Sequence, residues 1–212
     1  MMDKGFNEIE VSNFRGFDHI KIDHLAKLNV FVGANNVGKS SILESVFMLC
    51  GMGNPLMPSR VNYWRMQALN SMESTKYLFH NVDFSNRPML VARLDSYVRR
   101  LTFSPFLQSE IDAVSGDTSI NSGVKKLNFD FDIKEEGDFS YHATLFTGVD
   151  GTLQQTVDVN YQEELNSLFI SADKNDGNAT NNFATLVKRN RKNLVIDALR
   201  EFDPNIESIE AL

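Results

Sequence analysis

The spacing of apolar and polar residues predicts strands and a helix on either side of one glycine-rich turn. Between residues 6 and 14, apolar and polar positions alternate with one slip, which is typical of a strand. The stretch HIKID at 19–23 repeats this signal, so the two segments predict an antiparallel pair. The run KLNVFVG at 27–33 predicts a buried strand, and apolar residues in 40–49 recur at helical spacing.

Glycines and prolines in 51–58 then predict a break in the helix. A second helix is predicted over 59–72, with Ser59 as its possible cap. From about 88 to 161 the pattern becomes rich in strands joined by turns. In 127–133, Leu, Phe, Phe and Ile alternate with polar residues, so one face of that strand is predicted to be buried.

The last part of the chain has a different character. Residues 171–182 are polar and rich in turn formers, which predicts a mobile loop. The stretch 183–202 predicts one helix that stops before Asp203-Pro204, because proline disfavours helix at the residue ahead of it. The final stretch, 205–212, has the pattern of a beginning strand.

This organisation predicts two parts: a nucleotide-binding lobe at 1–170 and, at 171–212, a loop followed by the start of a helical lobe. A β-rich insertion at about 88–161 interrupts the first part. With 212 residues, 42% apolar and 23% charged, the composition is that of an ordinary folded chain. There is no apolar run of 18 residues and no secretory signal pattern, so no membrane partner is expected and the cytoplasm is the expected compartment.

Charge and metal-binding residue types exclude some functions. A net charge of -7 argues against a general nucleic-acid binder. A local basic patch is still compatible with this net charge. The single cysteine, Cys50, falls in the apolar pattern and is interpreted as a buried hydrophobe without a catalytic role. The four histidines are scattered without metal-site spacing, so any metal is expected to arrive with a ligand.

The turn itself carries the strongest chemical signal. Residues 33–40, GANNVGKS, fit the pattern G-x-x-x-x-G-K-[ST] of a phosphate-binding loop. The alternative is that this short pattern marks only a glycine turn. A strand predicted before it and a helix predicted after it favour the phosphate-binding interpretation.

The residue types explain how such a loop would bind ATP and Mg²⁺. Backbone N–H groups from Asn35 through Val37 to Ser40 would converge on the phosphates, supported by the helix dipole. Lys39 would reach the β- and γ-phosphates, and the Ser40 hydroxyl would ligate Mg²⁺. Ser41 could add a hydroxyl to the α-phosphate.

The remaining loop positions suit a tight turn. Gly33 and Gly38 allow a backbone approach that a Cβ would block. Asn35 and Asn36 tolerate left-handed conformations, and their amides can hydrogen-bond locally.

Hydrolysis would need a second carboxylate to organise Mg²⁺ and a group to orient water. Asp197 follows an apolar run, but the helical pattern around it favours a helix over an acidic strand. The stretch VSGDTS at 114–119 resembles a transporter-type signature loop only faintly and is interpreted as a surface turn. The basic stretch VKRNRK at 187–192 is interpreted as a solvated helix face, with phosphate or nucleic-acid contact as the alternative.

Residues 10–49 resemble the amino-terminal end of ATPases with transporter-type heads, including RecF and the structural maintenance of chromosomes proteins. The resemblance is closest to the overcoming-lysogenization-defect (OLD) family and its AAA-type relatives. It is carried by Asn13-Phe14-Arg15-Gly16-Phe17 and by the doubled Asn35-Asn36 in the loop. A looser likeness extends through a β-rich insertion to the helix before 205–212.

The resemblance implies an α/β fold of the P-loop class, an ABC-type head lobe with an antiparallel β portion. It implies ATP–Mg²⁺ at the loop, with Arg15 near the nucleotide. It also implies a signature loop and a second acidic strand beyond position 212, so that the carboxy-terminal half of the head is absent from this sequence. In such families two heads close over ATP as a homodimer, and some OLD relatives carry a nuclease module or act on DNA.

Two other functions remain open from the sequence. A small phosphotransferase of the nucleotide-kinase type would use 187–192 as an arginine-bearing lid. The strand pair ahead of the loop disfavours it, because such enzymes usually open with the phosphate-loop strand. A noncatalytic interaction module that uses ATP only to fix its shape would share the same binding site.

Overall fold

A seven-stranded antiparallel sheet forms the frame of the molecule. The computed structural model describes residues 5–65, 72–107, 124–134, 138–163, 165–170, 178–201 and 203–209. The strands are β1 (Glu8–Phe14), β2 (Phe17–Ile22), β3 (Met89–Arg93), β4 (Val98–Leu107), β5 (Val124–Lys134), β6 (Asp138–Thr147) and β7 (Leu153–Val157). Their order is β2-β1-β3-β4-β5-β6-β7, and every neighbouring pair is antiparallel. The predicted first hairpin and the strand-rich region after residue 88 are therefore confirmed.

Short helices accompany the sheet. The described α-helices are α1 (Lys39–Cys50), α2 (Met57–Trp64), α3 (Asn178–Lys188) and α4 (Lys192–Arg200). Two 3₁₀ segments, Met72–Leu78 and His80–Val82, lead from α2 towards β3. The helix predicted directly after the glycine-rich turn is confirmed as α1.

One face of the sheet and one face of α1 build the core. Leu127, Phe129 and Phe131 are buried at alternating positions of β5, as the sequence pattern predicts, whereas Ile133 is only partly buried. Leu101 and Phe103 are buried on the neighbouring β4. The Phe103 and Phe129 rings meet edge to face with centroids 5.3 Å apart. Ile42, Phe47, Met48 and Leu49 supply the α1 side of this core. Apolar burial of this kind fixes α1, and hence the preceding loop, to the sheet.

A buried arginine fixes the far end of α1. Arg99 is 1% exposed, and its Nε donates to the Leu49 carbonyl oxygen at 3.0 Å. Its Nη2 lies 2.8 Å from a Glu163 oxygen and 3.2 Å from the Tyr161 hydroxyl. Burial alone lowers the pKa of Arg99, but these acidic neighbours outweigh burial and leave it raised. Burial also raises the pKa of the adjacent Cys50 thiol to about 11, so the thiol is protonated at neutral pH.

The segment 27–33 is not the buried strand that its sequence predicts. It forms no strand, and Leu28, Val30 and Val32 are 81%, 74% and 85% exposed. Only Phe31, near the middle of the run, packs against the core. An apolar run becomes a buried strand only where another strand pairs with it, and no described strand pairs with this one.

Helix boundaries also differ from the predictions. Helix α2 begins at Met57 rather than Ser59, because Pro58 occupies its first turn, where proline is tolerated. The second half of the predicted helix over 59–72 lies largely outside the described residues.

The predicted single helix over 183–202 is two helices, α3 and α4. They are separated near Asn190, which has a left-handed φ of 56°. Helix α3 begins at Asn178, so the predicted loop over 171–182 is helical in its last residues; 171–177 lie outside the described residues. Asp197 lies on α4 as predicted, whereas 205–209 form no strand. The VSGDTS stretch at 114–119 lies outside the described residues.

The chain divides into two compact units, Met1–Phe169 and Ile170–Leu212. The first contains the whole sheet, α1 and α2, and the second contains α3 and α4. Among the described helices, none combines the length and apolar character needed to cross a bilayer.

Candidate nucleotide-binding site

The backbone of the glycine-rich loop is shaped to start a helix. Gly38 adopts a left-handed conformation, with φ 97° and ψ 8°, at the residue before α1. The sequence suggests left-handed conformations at both Asn35 and Asn36. Asn36 adopts one, with φ 64°, whereas Asn35 has no positive φ. Because no side chain caps α1, the N–H groups of its first turn remain available to a ligand.

Gly38 is required on two grounds, and its substitution is the first testable consequence. A Cβ built on Gly38 would lie 2.3 Å from the Phe17 ring, in a conformation that L residues rarely adopt. We expect Gly38→Ala to lower the free energy of unfolding by about 1–3 kcal/mol, measured by urea denaturation. Gly5→Ala is the control, because nothing lies within 4 Å of its Cβ position. Equal unfolding free energies for the two variants would show that the loop does not need glycine here.

The Lys39 ammonium group is tied to its own loop. Its Nζ donates to the Gly33 carbonyl oxygen at 2.8 Å and to the Ala34 carbonyl oxygen at 2.6 Å. An ammonium group has three donors, so one is left for an incoming anion. The lysine therefore closes the loop on itself and keeps a positive charge at the loop.

The loop opens into a cleft of about 790 Å³. Its lining residues come from the loop, the β1–β2 turn, α2 and the 3₁₀ segments: Arg15, Gly16, Asn35, Asn36, Gly38, Lys39, Ser40, Ser41, Arg65, Tyr77, Phe79, Asn81 and Val82. The structure thus brings Arg15, from the first hairpin, together with six of the loop residues singled out from the sequence. Gly33 and Val37 belong to the loop but do not line the cleft.

Beneath the loop, two arginines share one buried glutamate. Glu44 Oε2 lies 2.5 Å from Arg15 Nε, as an ion pair rather than an aligned hydrogen bond. Glu44 Oε1 accepts a hydrogen bond from Arg65 Nε at 2.6 Å. The Arg15 and Glu44 side chains are only 6% and 3% exposed, so their charges are largely removed from water. Such a cluster is held by mutual pairing, because an unpaired buried charge is very costly.

The charges of the cluster do not cancel. Arg15, Arg65 and Lys39 line the cleft, and only the two arginines share a carboxylate, Glu44, which leaves a surplus of positive charge at the cleft. Burial lowers the pKa of Arg15 to about 10, and Arg65 contributes to the lowering, so Arg15 is still charged at neutral pH. A bound anion would relieve this surplus.

Further contacts hold the arginines in place. Arg15 Nη2 donates to Asn62 Oδ1 at 3.0 Å, and Asn62 in turn donates to the Ser74 carbonyl oxygen at 2.7 Å. Arg65 Nη2 donates to the Ser41 hydroxyl oxygen at 3.1 Å. Arg65 therefore links the second serine of the loop to the buried glutamate.

Sequence reasoning missed the acidic and aromatic parts of this site. Glu44 carries a recognisable signal, because it is the one charged residue on the otherwise apolar and small buried face of α1. Arg65, Tyr77 and Asn81 carry no local signal. They reach the cleft only because α2 and the 3₁₀ segments fold back beside the loop.

The site suits Mg²⁺ only as a companion of a phosphate ligand. Within the described ranges there is no group of three His, Cys, Asp or Glu side chains that could hold a metal ion. Among the described residues, the cleft lining contains the Ser40 hydroxyl but no carboxylate. Mg²⁺ commonly binds with few protein ligands, several waters and phosphate oxygens, and the residues present fit that mode.

The fold and the loop define a nucleotide-binding protein of the P-loop class, with an α/β architecture and an antiparallel sheet. The family model described as an AAA ATPase domain matches residues 6–204. The chain therefore belongs to the AAA ATPase domain family, whose members bind ATP.

Similar proteins agree with this class. The chain is 32% identical over 91 residues to an ATP/GTP phosphatase of Helicobacter pylori, a match that covers 42% of this chain and 24% of that protein. It is 31% identical over 72 residues to the DNA replication and repair protein RecF of Heliobacterium modesticaldum, covering 31% of this chain and 19% of RecF. RecF of Geobacter sulfurreducens is 44% identical over 43 residues, covering 20% of this chain and 12% of RecF. These matches span about a quarter or less of each relative. No solved structure matches the chain.

Proposed function

We propose that this chain is the ATP-binding amino-terminal segment of an ABC-type ATPase head, similar to the heads of the OLD, RecF and structural maintenance of chromosomes proteins. The observation that carries the proposal is the cleft, which joins a left-handed glycine loop, a free helix N-terminus and a surplus of positive charge. Each of these features favours a bound phosphate chain.

Each loop residue has a role in this proposal. Backbone N–H groups between Asn35 and Ser40 bind the phosphate oxygens, and the third donor of Lys39 turns to the β- and γ-phosphates. Ser40 supplies a hydroxyl oxygen to the Mg²⁺ that accompanies the nucleotide. The proposed binding residues are Arg15, Gly33, Asn35, Asn36, Val37, Gly38, Lys39, Ser40 and Ser41.

The α-phosphate is assigned to the Ser41 side of the loop. The Ser41 hydroxyl can donate to a phosphate oxygen, and the Arg65 guanidinium already lies 3.1 Å from it. A second cation therefore stands next to the proposed α-phosphate position. Arg15 pairs with the same carboxylate as Arg65. Because the Arg15 side chain is largely buried, water screens its charge only weakly, and the charge acts on the phosphates.

Hydrolysis requires elements outside the described site. No carboxylate of the residues that the structure describes lines the cleft, and Glu44 is engaged by two arginines, so no described acid is placed to organise Mg²⁺ or to activate water. The exposed apolar residues Leu28, Val30 and Val32 support the view that further strands complete the head beside the segment 27–33.

The assembled protein is part of the same proposal. We propose that two heads form a homodimer that closes over nucleotide. DNA or a nuclease module is a further partner in this proposal. The support is the similarity to RecF of Heliobacterium modesticaldum and RecF of Geobacter sulfurreducens. Both are named DNA replication and repair protein.

The experiment that tests the proposal compares binding with turnover in the 212-residue chain. We expect ATP–Mg²⁺ to raise the melting temperature, because a ligand at 100 times its Kd stabilises the folded state by about 2.7 kcal/mol. We expect phosphate release no faster than that of a Lys39→Ala control. Absence of a thermal shift would contradict ATP binding, and turnover above the control would show that the chain contains its own catalytic acid.

A further inference from the structure

The cleft continues past the phosphate loop to a second wall. This 77–82 wall contributes Tyr77, Phe79, Asn81 and Val82 to the lining. Arg15 contacts this wall and shares Glu44 with Arg65. The Arg65 Nη2 donates to Ser41, the residue that we assign to the α-phosphate. A nucleotide anchored by its phosphates at the loop would therefore extend its nucleoside along this wall.

The wall is fastened to the β1–β2 turn by three hydrogen bonds to one residue. The Arg15 N–H donates to the Leu78 carbonyl oxygen at 2.9 Å, and Arg15 Nη1 donates to the Tyr77 carbonyl oxygen at 3.3 Å. His80 Nδ1 lies 3.0 Å from the Arg15 carbonyl oxygen, and because that oxygen can only accept, Nδ1 is the donor. The wall and the Arg15 end of the ion-pair cluster therefore form one rigid arrangement.

Two adjacent residues of the wall have unusual backbone conformations. Asn81 has φ 55° and Val82 has φ 58°, both in the left-handed region. Asparagine tolerates this region, but a β-branched residue there is a true outlier. The conformation is held by hydrogen bonds from the Val82 N–H to Phe79 and from the Asp83 N–H to His80, each of 3.1 Å. Such strain persists where the surrounding structure fixes it, commonly at binding sites.

The side chains of the wall offer exposed apolar area and two polar groups, the Tyr77 hydroxyl and the Asn81 amide. The Lys76 Nζ lies over the Tyr77 ring, 5.3 Å from its centroid. Tyr77 and Val82 remain 39% and 49% exposed within a cleft, which leaves apolar area for a planar ligand. The Asn81 side chain is exposed and makes no hydrogen bond to any residue that the structure describes. Its amide presents one donor and one acceptor side by side.

We infer that the 77–82 wall is the nucleobase site and that Asn81 selects adenine over guanine. The inference rests on the proposed ATP binding and goes beyond it by assigning base recognition. An asparagine amide pairs with the N6–H donor and N7 acceptor of adenine, whereas the same edge of guanine presents two acceptors. Tyr77 and Val82 cover the base, and Asn81 contacts its edge.

The test measures affinities of the 212-residue chain for ATP, GTP and inorganic tripolyphosphate, each with Mg²⁺, by isothermal titration calorimetry. Asn81→Gly removes the amide and tolerates the left-handed backbone. Asn81→Asp keeps the size but offers only acceptors, so it loses the donor to adenine N7 and cannot pair with the two acceptors on the same edge of guanine. Asn160→Gly, at an exposed turn outside the cleft, is the matched control.

We expect the wild-type chain to prefer ATP to GTP by about tenfold or more, the range for a bidentate base contact. Asn81→Gly should remove most of that preference while leaving tripolyphosphate affinity unchanged, and Asn81→Asp should weaken ATP binding because the donor to N7 is lost. The inference is overturned if Asn81→Gly leaves the ATP-to-GTP ratio unchanged or weakens tripolyphosphate as much as ATP. If the wild-type chain binds neither ATP nor tripolyphosphate, the phosphate site itself is refuted.

Discussion

Replacement of Lys39 by alanine is expected to weaken ATP binding by one to two orders of magnitude. Among the described residues that line the cleft, Lys39 is the only cation of the glycine-rich loop. Two of its N–H groups donate to loop carbonyl oxygens, so the third is available to a phosphate. A hydrogen bond to a charged group contributes about 1.5–3 kcal/mol, so its loss should weaken ATP by roughly ten- to 150-fold. The measurement is isothermal titration of the variant with ATP–Mg²⁺.

Two controls separate this effect from general charge loss and from misfolding. Lys125→Ala removes the same charge from an exposed position on β5, outside the cleft, and should leave ATP affinity unchanged. The Lys39→Ala chain should retain its circular dichroism spectrum, because the side chain is only half-buried and its hydrogen bonds to described residues are with loop carbonyls. Unchanged ATP affinity in a folded Lys39→Ala chain would refute a phosphate-binding role for the loop.

Replacement of Glu44 by glutamine is expected to produce the largest loss of stability. Neutral glutamine would leave Arg15 buried without its counter-charge and with Arg65 as a cationic neighbour. Removing one partner of a buried ion pair typically costs about 3–5 kcal/mol. Urea denaturation should show this decrease in the free energy of unfolding, with little change in the m-value.

The matched control is Glu8→Gln on β1. Glu8 also pairs with two cations, Lys21 and Arg93, but both are substantially exposed, so its substitution should cost about 1 kcal/mol or less. Adding Arg65→Gln to Glu44→Gln should recover part of the lost stability, because it removes the repulsion between the two guanidinium groups. A Glu44→Gln cost equal to that of Glu8→Gln would mean that the cluster is solvated rather than buried.

Local sequence patterns sufficed for much of the fold and for locating the glycine-rich loop in the cleft. The first hairpin, α1 and the alternating buried face of β5 follow from periodicity, which depends only on neighbouring residues. The loop motif was equally local, since its glycines, asparagines and lysine are contiguous. These features required no knowledge of distant contacts.

The failures all involve interactions that a local pattern does not contain. The segment 27–33 has the composition of a buried strand, yet Leu28, Val30 and Val32 are exposed because no described strand pairs with them. Helices α3 and α4 separate near Asn190, which has a left-handed backbone. The apolar periodicity of the sequence continues across this residue and does not indicate the break. Arg65 and Asn81 join the cleft through chain reversals, so only the folded structure shows that they face the loop.

The most direct test of nucleotide binding is a crystal structure of the chain with a non-hydrolysable ATP analogue and Mg²⁺. We expect the phosphates to accept hydrogen bonds from the N–H groups of 35–40. We expect Lys39 Nζ to contact the β- and γ-phosphates instead of the Gly33 or Ala34 carbonyl oxygen. An analogue bound away from the loop, with Lys39 still held by both carbonyl oxygens, would contradict the assignment of this cleft as the ATP site.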